Sequence, residues 1–295
     1  MMREEHILGD PVNERTLSLV SAAALHTLHP KAGVRVEHSL DDGLYCEFDN
    51  IRCDDALRAE MEAKVTEIID QKQRIERRYM DREAAAQLFA RAGMEDKAAN
   101  IRHSRDARCP IDRLCGLDDH MYGDLPPHAG ILPRVYVRQM MHGLWFGFHG
   151  SPKPQDKLLA VYDAFERWGR RLGINNVPQL NAAAKQEGID TLIAMSEAQI
   201  ERQLVKLADT IVSMQPLRRF VLISGPSSAG KTTFSRRLKI HLSILGFQPQ
   251  ALSMDDFFRD RCEYPRLADG SYDLESPKTL DLPLLSETVK GLLAG

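Results

Sequence analysis

Apolar residues recur at helical spacing through much of the first half of the chain. The run from Thr16 to Leu28, stopped by Pro30, predicts a buried helix. Val34 and Val36, then Leu44, Tyr45 and Phe48, flank Asp41-Asp42-Gly43 and predict a β-hairpin. Leu57, Met61, Val65, Ile68 and Ile75 return at three-, four- and seven-residue steps, the pattern of a long amphipathic helix. A second helix over about Arg82–Ala92 is closed by Gly93. From Cys109 to Gly150 the text turns to Pro, Gly and aromatics, with short strands expected at Arg134–Gln139 and Leu144–Phe148. Residues 1–150 therefore read as an α+β domain.

Ser151-Pro152-Lys153-Pro154 reads as a linker. Residues 151–217 read as a helical connector. Asp156 is placed to cap a helix bearing Leu159, Tyr162, Phe165 and Trp168, which Gly173 closes. Asn176, with Pro178 just inside, opens a short helix. A longer one presents Ile200, Leu204, Leu207 and Ile211 before Pro216 stops it.

Residues 218–295 carry the chemistry. The apolar run Phe220–Ser224 reads as a buried parallel strand and feeds Gly225-Pro226-Ser227-Ser228-Ala229-Gly230-Lys231-Thr232-Thr233, with helical text after it. That run fits G-x-x-x-x-G-K-[ST] in the strand–loop–helix setting the motif requires. Glycines let the backbone curl so that successive N–H groups face phosphate oxygens, and the helix beginning near Lys231 adds its positive end. Lys231 is expected to reach the β- and γ-phosphates of ATP, and the Thr232 hydroxyl to ligate Mg²⁺. Pro249–Met254 reads as a second strand ending in Asp255-Asp256-Phe257-Phe258. A carboxylate at that end of a parallel strand lies where α/β sheets bind ligands, placed to take a proton from an attacking hydroxyl or to hold Mg²⁺ through water. The alternative is that Asp255 or Asp256 only caps the next turn. The fold expected here is an incomplete α/β P-loop NTPase with a parallel sheet.

At these residues the sequence resembles the uridine kinase and phosphoribulokinase group. The matching text is Gly225–Thr233, Ser253–Phe258, Tyr272-Asp273-Leu274-Glu275-Ser276-Pro277 and Leu280-Asp281. The resemblance implies ATP-dependent phosphorylation of the 5′-hydroxyl of a uridine- or cytidine-like nucleoside. In that case Asp255 is the base and Glu275 holds ribose hydroxyls, where uridine kinases commonly carry Asp. Leu17–Asp49 and Leu114–Leu132 resemble the second additional domain of threonyl-tRNA synthetases, which edits mischarged tRNA with two histidines of an H-x-x-x-H helix and a later Cys and His. Those four places hold Arg15, Leu19, Met121 and Leu125, so the resemblance implies a domain without editing chemistry. The combination resembles bacterial nucleoside kinases with a synthetase-like N-terminal portion. Those kinases continue past the equivalent of Leu292–Gly295, so the kinase part here is read as a front portion, and this chain expressed alone is expected to be unstable or inactive in its kinase half.

Composition adds limits. The 295 residues are 43% hydrophobic and 27% charged, which excludes global disorder, and 39 basic against 42 acidic residues give no bulk cationic field for indiscriminate nucleic-acid binding. RNA contact through the N-terminal domain stays open. The odd set of five cysteines, with no C-x-x-C, reads as reduced thiols in a cytoplasmic protein. Leu17–Leu25 reads as a buried helix, not a signal-peptide core, and no stretch is long enough to span a bilayer. Cys109, Cys115, His120 and His128 lie close in sequence but fit no standard zinc spacing, and His26, His29 and His38 read as solvated or core histidines. Lys72–Arg78 reads as a charged helix face, with RNA contact the alternative. Arg236 and Arg237 either support phosphate or face water. Two other functions fit the text: a P-loop kinase for a phosphosugar or other small alcohol, and a non-catalytic, nucleotide-responsive RNA- or protein-binding module.

Overall fold

A computed structural model describes residues 10–153, 155–185, 188–226, 228–274 and 276–294. The chain divides into two compact units, Met1–Ala184 and Lys185–Gly295. Residues 151–217, the helical stretch, are thus shared between them.

The first unit opens with α1 (Pro11–Leu28), started by Asp10, whose carboxylate accepts from the Val12 amide at 2.9 Å, with Pro11 in the first turn. Leu17, Leu19, Val20, Ala23, Ala24 and Leu25 of α1 are buried. Strands β1 (Gly33–Leu40) and β2 (Gly43–Asp49) form the expected hairpin, with Asp41 left-handed at its turn. Helix α2 (Asp55–Asp70) is capped by Asp54 and buries Leu57, Met61, Val65, Ile68 and Ile69. It stops five residues short of Ile75. Lys72 turns left-handed there, and the Ile75 amide bonds to the Pro127 carbonyl at 3.0 Å.

The charged stretch read as a helix face is instead partly a strand, β3 (Glu76–Asp81). It is held to β4 (Arg108–Leu114) by ladder pairing and by a two-pronged ion pair, Arg77 Nε to Asp112 Oδ1 at 2.7 Å and Nη2 to Oδ2 at 2.9 Å. Asp112 is fully buried, so this pairing satisfies a carboxylate that would otherwise be costly to desolvate. Between them lie α3 (Arg82–Arg91), ended by left-handed Gly93, and α4 (Glu95–His103). Strand β5 (Leu117–Asp119) completes an antiparallel sheet of order β3-β4-β5. Ala85, Ala86, Phe89, Ala98 and Ile101 of the two helices pack with Cys109 and Ile111 of β4.

Strands β6 (Tyr136–Met140) and β7 (Gly143–Gly147) sit where short strands were expected and extend the first hairpin into an antiparallel sheet of order β1-β2-β7-β6. The main core joins α1 and α2 to this sheet. Trp145 of β7 is fully buried and donates its indole N–H to the Leu40 carbonyl at 2.9 Å. A Cβ on Gly43 would fall 2.5 Å from the Trp145 ring, and one on Gly147 would fall 2.0 Å from it. Gly43 and Gly147 are register partners. A pair of residues without side chains thus makes room for the largest ring in the core.

Helix α5 (Asp156–Leu172) ends at left-handed Gly173, as expected, but its first turn carries no side-chain cap: Asp156 lies inside it and Gln155 precedes it. Tyr162 of α5 rests against His38 and Tyr45 of the sheet, with ring centroids 5.0 and 6.0 Å away. Helix α6 (Val177–Lys185) follows, with Asn176 Oδ1 accepting from the Gln179 amide at 3.0 Å.

The second unit holds α7 (Ile189–Ser213), α8 (Lys231–Ile244), α9 (Leu282–Ala294) and short 3₁₀ turns. Leu204, Ala208 and Ile211 of α7 pack on Leu238 and Leu242 of α8. The parallel strands expected at Phe220–Ser224 and Pro249–Met254 are not formed. The described residues of this unit contain no strand, and the two sheets among the described residues of the chain are antiparallel. The reason is partnership. A parallel strand is stabilised by hydrogen-bonded neighbours and by layers on both faces, whereas Leu222 is 86% exposed and neither segment has a ladder partner among the described residues. Among the described residues no helix is long and apolar enough to cross a membrane.

Candidate functional site

The phosphate-loop residues are brought together by a short-range fold. Ser228 and Gly230 are both left-handed, with φ of 61° and 76°, and the chain turns into α8 directly after Gly230. Gly230 is the N-terminal cap, and its carbonyl receives the Phe234 amide at 2.9 Å. A side chain there would strain the backbone, which is the physical meaning of the second glycine in the motif. Lys231 curls back so that its Nζ donates to the carbonyls of Gly225 and Pro226, each at 2.8 Å. The Ala229 amide donates to the Pro226 carbonyl at 3.3 Å. Ammonium, first-turn amides and the hydroxyl-bearing Thr232 and Thr233 therefore share one exposed helix end, and Ser227 lies outside the described residues. This donor set fits a polyphosphate, which requires N–H donors and positive charge, and the Thr232 hydroxyl is a hard oxygen ligand of the type Mg²⁺ takes.

Asp255 stands on a separate 3₁₀ turn, Met254–Phe257, started by Ser253, whose hydroxyl accepts from the Asp255 amide at 3.3 Å. Its carboxylate is exposed. Phe257 is buried beneath the turn. The turn is laced to residues 279–281, which include the Leu280-Asp281 text of the family resemblance. The Asp281 amide donates to the Phe257 carbonyl at 2.8 Å, Phe258 bridges Leu280, and the Arg259 amide donates to the Thr279 carbonyl at 2.9 Å. Glu275 lies outside the described residues. Among the described residues no hydrogen bond or ion pair joins Asp255 to the phosphate loop.

Arg237, one of two arginines left open between phosphate and solvent, faces α7: its guanidinium pairs with Glu201, and the other oxygen of Glu201 meets His241 Nε2 at 2.7 Å. These bonds, led by the one with His241, hold the Glu201 carboxyl below its ordinary range. Sequence reasoning did not single out Glu201.

In the first unit the four places that match the editing set are packed. Leu19 is wholly buried, and Met121 and Leu125 pack on the same apolar cluster. Arg15 Nε donates to the Asp124 carbonyl at 3.1 Å, and its guanidinium fills the space over Gly123. His120 Nδ1 lies 2.8 Å from the Pro110 carbonyl, and His29 lies 2.9 Å from Glu60. Among the described residues no three His, Cys, Asp or Glu side chains converge as metal ligands do. All five cysteines are free, and burial pushes the Cys46 and Cys109 thiols up.

No family model matches the chain. It is similar to a threonine–tRNA ligase of Paramagnetospirillum magneticum, 35% identical over 101 residues covering 33% of this chain and 15% of the ligase. It is also similar to a threonine–tRNA ligase of Halorhodospira halophila, 28% identical over 182 residues covering 56% of this chain and 28% of the ligase. The chain thus spans less than a third of the length of either ligase. The longer match covers more of the chain than the second unit contains, so part of it falls on the first unit.

Proposed function

We propose that the protein is an ATP-dependent kinase of P-loop type, acting on the 5′-hydroxyl of a uridine- or cytidine-like nucleoside, with a synthetase-like first unit whose editing places are filled by packing. The observation that carries this reading is the loop Gly225–Thr233, closed by Lys231 on its own carbonyls at the start of α8. In this reading Lys231 and the loop amides hold and neutralise the triphosphate. Thr232 holds Mg²⁺, which supplies further neutralisation of the phosphate oxygens. Asp255 accepts the proton of the attacking hydroxyl, and Glu275 orients the ribose. The kinase fold itself belongs to the proposal, since the parallel sheet it implies is not formed. Similarity to ligases that join threonine to tRNA supports ancestry for the first unit and favours a second reading, in which that unit contacts RNA.

The test is ATP turnover by the whole chain against a panel of uridine, cytidine, a phosphosugar and other small alcohols, alongside calorimetric titration with Mg·ATP. Lys231→Ala is expected to abolish measurable Mg·ATP binding and all acceptor-dependent turnover. Turnover on a phosphosugar but no nucleoside would move the substrate assignment. No Mg·ATP binding by the wild-type chain would sink the kinase reading, and tight tRNA binding in its place would favour the second.

A further inference from the structure

Glu201 is the charged member of an otherwise apolar stripe. Along α7 the residues facing α8 are Glu201, Leu204, Ala208 and Ile211, and the last three bury against Leu238 and Leu242. Each oxygen of the carboxylate takes a different partner, Arg237 and His241, which lie four residues apart and so on one face of α8. These partners come one and a half to three turns after Lys231, on the helix whose first turn forms the phosphate loop.

Glu201 and Arg237 are partly exposed and His241 is more covered, so solvent screening and the ordering of long side chains limit what the cluster adds to stability. Its effect lies elsewhere. An apolar contact between two helices has several acceptable offsets along the ridges of side chains. A carboxylate that must meet a guanidinium and an imidazole together has one. On the proposed kinase reading, the helix so fixed is the one whose N-terminal amides and Lys231 must meet phosphate oxygens, where displacement by about 1 Å can cost ~10²-fold.

We infer that Glu201 is a positioning residue for the ATP site, setting the place of α8, and with it the phosphate loop, through Arg237 and His241. This role rests on the kinase reading for its ligand but not for its geometry, so the experiment has two arms on the whole chain. In the first, Glu201→Ala is expected to weaken Mg·ATP binding ~10- to 100-fold and to leave the KM for the acceptor unchanged. The conservative Glu201→Gln, whose amide can still accept from Arg237 and meet His241, is expected to keep most of the affinity. Wild-type affinity in Glu201→Ala overturns the inference. So does a loss in Glu201→Gln as large as in Glu201→Ala while its thermal melt matches wild type. In the second arm, amide hydrogen exchange without nucleotide should be faster in residues 231–236 of Glu201→Ala, with the melting temperature little moved. Unchanged exchange there overturns the clamp. A wild-type chain that binds no Mg·ATP refutes the kinase reading by itself, and the exchange arm then decides separately whether Glu201 fixes α8.

Discussion

Asp255→Asn is expected to lower acceptor-dependent ATP turnover by about 10²–10⁴-fold, the usual contribution of a positioned general base, while leaving Mg·ATP binding at wild-type strength. Asparagine keeps the size and polarity of the side chain but cannot accept the hydroxyl proton. Among the described residues no bond joins the Asp255 carboxylate to the loop, and its turn is held from elsewhere, by the Ser253 cap, buried Phe257 and the ties to Leu280 and Asp281. The substitution should therefore leave the fold as it is. Steady-state kinetics should show the fall in kcat with the KM for ATP unchanged. Full turnover in the variant would remove Asp255 from the chemistry and return it to the role of a turn residue.

The largest expected effect on stability lies in the first unit. Trp145→Ala is expected to cost about 3–5 kcal/mol, the range for emptying a fully packed aromatic site. A typical domain holds only ~5–15 kcal/mol in all, so this change should remove a large share of the first unit's stability and lower its unfolding midpoint. The indole is fully buried, bonded to the Leu40 carbonyl, and seated over the Gly43–Gly147 pair. The reverse error, Gly147→Ala, places a methyl group into the ring and should cost about 1–3 kcal/mol by overpacking. Urea unfolding followed by circular dichroism measures both. A midpoint in Gly147→Ala equal to wild type would contradict the close approach of ring and backbone.

Local signals in the sequence were legible where one residue type decides the outcome. Pro30 and Gly93 end their helices, the Asp41–Gly43 turn makes its hairpin, and Asn176 starts α6. The turn that leads into α8 at Lys231 was legible for the same reason, since the bonds from Lys231 to the Gly225 and Pro226 carbonyls span six residues or fewer. Strand β3 was not. Its sequence, Glu-Arg-Arg-Tyr-Met-Asp, has no apolar alternation, and its anchor is an ion pair with Asp112, 35 residues away. Phe220–Ser224 failed in the opposite sense: β-branched and apolar content gave it strand character, but pairing depends on neighbours the pattern of one segment cannot supply. Glu201 was invisible because a helix-face acid looks the same whether it meets water or a guanidinium 36 residues on.

The union of α7 with α8 changes where the chain can be cut. A motif-based dissection would begin the second piece at Arg218, just ahead of the glycine-bearing turn into α8. Such a piece would carry Leu238 and Leu242 into water and leave Arg237 and His241 without their carboxylate. The helix that looks like a tether in the sequence packs directly on α8, and a workable boundary falls ahead of α7, near Lys185.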